Sequence, residues 1–170
     1  MRVVIRTAES ADAAPACHVL CRAISQCCTE DHHNDAQILS AWLGNKTPEN
    51  VAAWFACTSH FSIVAHVDAR LAGVAIMTRQ GKIVLFYVAP EMRFTGTGKA
   101  LLQALEEQAK KWGLRTMQVG STLSACAFYT GNGFVGDGTT RTAFGIDAVC
   151  LSKNLCVGSY PKRPPCGCGG

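Results

Sequence analysis

The sequence holds no apolar run approaching the ~20 residues of a membrane-spanning helix, and only 16% of its residues are Asp, Glu, Lys or Arg. The first absence leaves a soluble chain with no membrane partner as the expectation. The second, beside 48% hydrophobic residues, excludes intrinsic disorder. A basic stripe is also missing: Lys plus Arg number 16 and Asp plus Glu 12, and the net +4 is spread along the chain. That speaks against a nucleic-acid partner and suits an anionic small ligand. The ten cysteines contain no Cys-x-x-Cys pair, so the strong spacing for structural zinc is lacking and no metal is expected. The basic tip Met1-Arg2 is followed by an apolar stretch too short for a signal-peptide core, which predicts a cytoplasmic protein. Most cysteines there read as small, reduced, buried hydrophobes.

At 170 residues, one domain with a real core is the expectation. It should occupy residues 1–157, with 158–170 as an extended or disordered Pro/Gly/Cys tail. A short β-branched strand, Val3–Arg6, leads to a helix from Ala13 to about Cys28 with Cys17, Leu20, Cys21 and Ile24 on one face. The polar stretch Thr29–Asp35 interrupts it. Further helices are expected from Asp35 to Leu43 and from Pro48, capped by Thr47. Phe61–Val67 and Leu71–Thr78 read as a hairpin about Asp68-Ala69-Arg70, and Lys82–Val88 as a third strand ended by Pro90. The clearest helix carries Leu101, Leu102, Leu105, Ala109 and Trp112 inward, with Glu106 and Lys110 at i, i+4 on its outer face, and closes at Gly113. A strand Thr116–Gly120, a helix Ser121–Thr130, and strands near Phe134 and over Ala143–Leu151 complete the reading.

Between the Lys82–Val88 strand and that clearest helix lies Arg93-Phe94-Thr95-Gly96-Thr97-Gly98. A loop entering a helix turns several N–H groups toward one point, which attracts phosphate. Gly96 and Gly98 keep side chains out of the way, and Arg93 and Lys99 add positive charge. The Walker pattern fails at Ala100, and the dinucleotide fingerprint fails at Leu101.

What matches is Arg-x-x-Gly-x-Gly after a strand ending Tyr87-Val88-Ala89-Pro90, followed downstream by Ser124-Ala125-Cys126-Ala127-Phe128-Tyr129-Thr130-Gly131-Asn132-Gly133-Phe134. In these two motifs, from roughly Phe61 to Leu151, the chain resembles the GNAT superfamily of acetyl-CoA-dependent N-acetyltransferases. The resemblance implies a mixed α/β fold whose central, mostly antiparallel twisted sheet is flanked by helices and splayed at the acetyl-CoA site. It implies acetyl-CoA as cosubstrate and a primary amine as acceptor. Backbone amides of Thr95, Gly96, Thr97, Gly98 and Lys99, with Arg93, would then hold the pyrophosphate, and Val88 N–H would meet the thioester carbonyl. Tyr129 would be the general acid that protonates the departing thiolate. Thr122 stands where many relatives have an asparagine that contacts the cofactor, and Phe94 where many have glycine.

No position matches a general base, so the candidates are Glu30, Asp31, His32 and His33 at the acceptor site, or a water held by backbone groups. Small metabolites, amino acids, antibiotics, and protein N-termini or lysines remain open as acceptors, and a homodimer is possible. Cys126, one turn from Tyr129, reads as core packing rather than as an acyl-carrying nucleophile. Two other readings stand beside acetyl transfer: a catalytically silent CoA-binding sensor, and a thiol-rich metal or redox module suggested by Cys166-Gly167-Cys168.

Overall fold

A computed structural model describes residues 1–156. The expected tail, 158–170, lies outside the described residues, as do Cys166 and Cys168. Seven strands form one sheet: β1 (Val3–Thr7), β2 (His60–Val67), β3 (Arg70–Thr78), β4 (Lys82–Val88), β5 (Thr116–Thr122), β6 (Val135–Arg141) and β7 (Asp147–Asn154). Their order is β1-β2-β3-β4-β5-β7-β6. Every neighbouring pair is antiparallel except β4 and β5, which run parallel. The helices are α1 (Ala13–Cys27), α2 (Thr29–His32), α3 (Ala36–Leu43), α4 (Pro48–Ala56), α5 (Thr97–Lys111) and α6 (Cys126–Gly131). None of them is long and apolar enough to cross a membrane.

Local chemistry sets most boundaries. Asp68 and Ala69 both take positive φ, 49° and 65°, so β2 and β3 are joined by a tight two-residue turn whose twist suits a hairpin. Asp35 accepts from the N–H groups of Gln37 and Ile38 and starts α3, while Thr47 accepts from Asn50 N–H and Pro48 opens α4. Asp12 ties β1 to the start of α1, accepting two bonds of 2.7 Å from the Arg6 guanidinium and one of 2.8 Å from Glu9 N–H.

The sheet is covered on both faces. On one, α5 lays Leu101, Leu102, Leu105 and Ala109 against Ala75, Met77, Met117 and Val119. On the other, α1 and α4 pack Ala16, Cys17, Leu20 and Val51 against Val64 and Val74. At about 25 cal/mol per Å2, burying each Leu, Val and Met side chain among these is worth about 1.5–3 kcal/mol, so the apolar stripes fix where the helices dock.

Four expectations are corrected. The Thr29–Asp35 stretch contains the short helix α2 rather than loop alone. The segment Ser121–Thr130 is not one helix: β5 continues through Thr122, a turn follows, and α6 begins only at Cys126. The last strand, β7, starts at Asp147 rather than Ala143, because residues 142–146 form a turn closed by Thr142 N–H to Ile146 O and Gly145 N–H to Thr142 O. Glu106 is ion-paired with Lys153 of β7 at 2.6 Å rather than with Lys110.

Candidate active site

The site begins with a defect in the sheet. Strand β4 carries one extra residue, since Met77 pairs with Ile83 and Ile76 with Leu85, leaving Val84 as a bulge. Its parallel pairing with β5 stops at that point, after Lys82–Gln118 and Ile83–Val119. Ala89 N–H still donates to Ala72 O of β3, at 2.8 Å. Successive strand N–H groups alternate in direction, so those of Val88 and Phe86 point the other way, into the gap left by β5.

A cavity of about 460 Å3 fills this gap. One end is the glycine loop. Gly96, at φ 91°, precedes α5, and the first helical bond there is Ala100 N–H to Gly96 O. The N–H groups of Thr97, Gly98 and Lys99 therefore have no intrahelical acceptor, and no side chain caps them. The Thr95 hydroxyl donates to Met92 O at 2.7 Å and sits 3.0 Å from that of buried Thr97, so both side chains brace the loop and only their backbone is offered to a ligand. A Cβ on Gly98 would come within 3.3 Å of the Phe128 ring, which explains glycine there by close approach. Arg93 and Lys99 border the cavity, and the Arg93 guanidinium lies 5.0 Å from the ring of Phe94. Phe94 is 96% exposed and holds φ 61°, a conformation costly for any residue with a Cβ.

The other end is aromatic. Tyr129 packs edge-on against Phe86, Phe128 and Phe134, with ring centroids 5.3–5.9 Å apart. It is 3% exposed and borders the cavity. Burial, reinforced by Tyr87, pushes its phenol well above the usual value, so the proton stays on at any physiological pH.

Sequence reasoning therefore named six residues that the structure gathers on one cavity: Val88, Arg93, Gly96, Gly98, Lys99 and Tyr129. Thr122 is placed differently. It ends β5 and is not among the cavity residues, and its hydroxyl accepts from Ala125 N–H at 3.2 Å, while Ser124 and Ala125 form the wall.

None of the four acceptor-site candidates lines the cavity. His32 is 0% exposed, with Nε2 3.0 Å from Ile24 O and Nδ1 accepting from Asn34 N–H at 3.0 Å. Both ring nitrogens are engaged, so it sits in the core, away from the cavity. Asp31 is buried as well: its two oxygens accept from Leu123 N–H and Ser124 Oγ, each at 2.6 Å, and so pin α2 to the β5–α6 turn. Glu30 and His33 are exposed on α2 and at its end.

The cavity also includes Phe86, Tyr87, Cys28 and Asn132, which the sequence reading did not single out as site residues. Phe86 was within reach, being two residues before Val88 and hence on the same strand edge. Burial pushes the Cys28 thiol up to about 12, partly offset by a bond with Ser124, so it is no nucleophile.

The family described as "Acetyltransferase (GNAT) domain" matches residues 29–155. The chain belongs to this family. Among solved structures, a GCN5-related N-acetyltransferase from Rhodopseudomonas palustris is similar at TM-score 0.83 and 20% identity, covering 91% of this chain and 97% of that one. The PaiA N-acetyltransferase from Thermoplasma acidophilum, solved in complex with coenzyme A, is similar at TM-score 0.80 and 18% identity over 91% and 99% of the two chains. The ribosomal-protein-S18-alanine N-acetyltransferase from Escherichia coli follows at 0.67 and 19%, over 96% and 99%. At these identities the likeness is one of fold, and it agrees with the GNAT sheet described above. No curated protein matches the sequence.

Proposed function

We propose that this GNAT protein transfers the acetyl group of acetyl-CoA to a primary amine, directly and in a ternary complex. The observation that carries the reading is the single cavity that joins three groups: the unpaired amides at the start of α5, the free edge of β4, and the Tyr129 hydroxyl. Acetyl-CoA supplies an activated acyl carbon; the amine nitrogen bonds to it, the C–S bond breaks, and CoA leaves as a thiolate.

The chain's own groups then have definite tasks. The N–H groups of Thr95, Gly96, Thr97, Gly98 and Lys99, with the Arg93 guanidinium, hold the pyrophosphate. Val88 N–H donates to the thioester carbonyl as negative charge builds on its oxygen, a place where a fixed dipole in a dry cavity counts for more than in water. Tyr129 gives its proton to the thiolate and recovers it from water. The attacking amine loses its proton to water, since no base among the sequence candidates borders the cavity.

The test is Tyr129→Phe, which removes one oxygen and leaves the aromatic packing. Expected are unchanged acetyl-CoA affinity by calorimetry and a kcat lower by roughly 10²-fold. Unaltered kcat would refute the acid role, and a folded parent that binds no acetyl-CoA would refute the function.

A further inference from the structure

A second cavity, of about 300 Å3, shares Tyr87 as a wall with the first. Its other walls come from the end of α3 and the α3–α4 connection, from α4, from the start of β2, from Ile76 of β3 with Val84 and Leu85 of β4, and from Phe144 in the β6–β7 turn. Trp42 stacks on Phe144 with centroids 6.2 Å apart and planes 10° from parallel, and Trp54 faces the same space. Set among these rings is Lys46. Its ammonium donates to Asn45 Oδ1 at 2.6 Å and to Trp42 O at 3.2 Å, and lies 5.0 Å from the Phe144 centroid and 5.9 Å from that of Trp54.

An ammonium has three N–H donors, and two of them are engaged here. No carboxylate lines this cavity, and among the described residues no Asp or Glu pairs with Lys46. The charge is therefore half-buried and fixed in place without a counter-ion, and its proton affinity is lowered by burial. An anion brought into the cavity would restore what desolvation removed. A polyamine would bring like charge to Lys46 and would be disfavoured.

We propose that this second cavity holds the body of the acceptor, and that the acceptor is an amine carrying a carboxylate on an aromatic frame. The carboxylate sits on Lys46, the frame lies beside Trp54 and Phe144, and the amine reaches past Tyr87 toward the free edge of β4. This inference rests on the acetyl-transfer reading, whose site it completes.

Two probes of one frame separate the ideas: 4-(aminomethyl)benzoate and 4-methylbenzylamine, which differ in the carboxylate alone. Each is titrated calorimetrically into the full chain without acetyl-CoA, and each is then assayed as acceptor with it. The parent should favour the carboxylate probe by about 10- to 100-fold in Kd and in kcat/KM, the range for one charge-assisted bond. Lys46→Met should erase that preference, and Lys46→Arg should keep it.

Equal binding of the two probes by the parent, binding of neither, or a preference that survives in Lys46→Met would overturn the proposal. The parent's own preference needs no variant to fold. A parent that favours the carboxylate probe yet binds no acetyl-CoA overturns the acceptor role through failure of the transferase reading, and a parent that acetylates both probes equally overturns the acceptor class alone.

Discussion

Removing the Asp31 carboxylate should loosen the molecule where two distant segments meet. Asp31 is 6% exposed and accepts two bonds of 2.6 Å, from Leu123 N–H and from Ser124 Oγ. Bonds to a charged group are worth ~1.5–3 kcal/mol each. Leu123 is 44% exposed, so water can reach part of the turn, and the carboxylate's own desolvation cost disappears with it. Both effects push the sum toward its lower end, about 3 kcal/mol for Asp31→Ala. In a domain of this size that corresponds to a fall in Tm of about 6–12 °C. Asp31→Asn keeps an oxygen for Leu123 N–H, and the Ser124 hydroxyl can turn to accept from the new amide, so its cost should be about 1 kcal/mol. Urea unfolding of the three proteins at one pH reads both differences. The reasoning is refuted by an alanine variant within about 0.5 kcal/mol of the parent, the range of an unremarkable surface change, or by an asparagine variant as unstable as the alanine one. Because Ser124 and Ala125 wall the first cavity, Asp31→Ala should also weaken acetyl-CoA binding at temperatures where it is fully folded.

Two further outcomes are expected. Phe94→Gly should be more stable than Phe94→Ala by about 1 kcal/mol, since both remove the ring and only alanine must still hold φ 61°; equal urea midpoints would contradict this. Arg6 holds the Asp12 carboxyl below its usual range, so the stability Asp12 contributes is present in full above that range and vanishes as pH falls through the lowered native value. Arg6 is largely exposed and salt screens the pair, so the effect is modest; Asp12→Asn should flatten the acid limb of a Tm-versus-pH curve, and an unchanged limb would count against it.

What the sequence made legible is what local chemistry decides. The Asp-Ala turn, the caps at Asp35 and Thr47, the apolar stripe of α5 and the glycine loop each follow from a few adjacent residues. Val88, Arg93 and Tyr129 were found because two compact motifs carry them to one cavity. The misplacements share a different cause. His32 and Asp31 look like solvated loop until Ile24 and the β5–α6 turn arrive to bury them, and the bonds of Asp31 join residues 92 and 93 positions apart. The expected helix Ser121–Thr130 includes Thr122, yet pairing of Ser121 with Val149 and of Thr122 with Ala148 keeps both residues in a strand. The second cavity is assembled from separate stretches of chain between Trp42 and Phe144, and no single stretch announces it.

The short parallel seam between β4 and β5 has a mechanical meaning. Elsewhere in the sheet, load passes between strands through five to eight paired positions; here it passes through two. The halves β1–β4 and β5–β7 are held together chiefly by side chains: the α5 stripe that touches both, and the clasp of Asp31 at the open end. Packed side chains yield by fractions of an ångström where a hydrogen-bonded ladder would have to break. The molecule is thus two hydrogen-bonded plates whose joint is made of packed side chains rather than of a ladder.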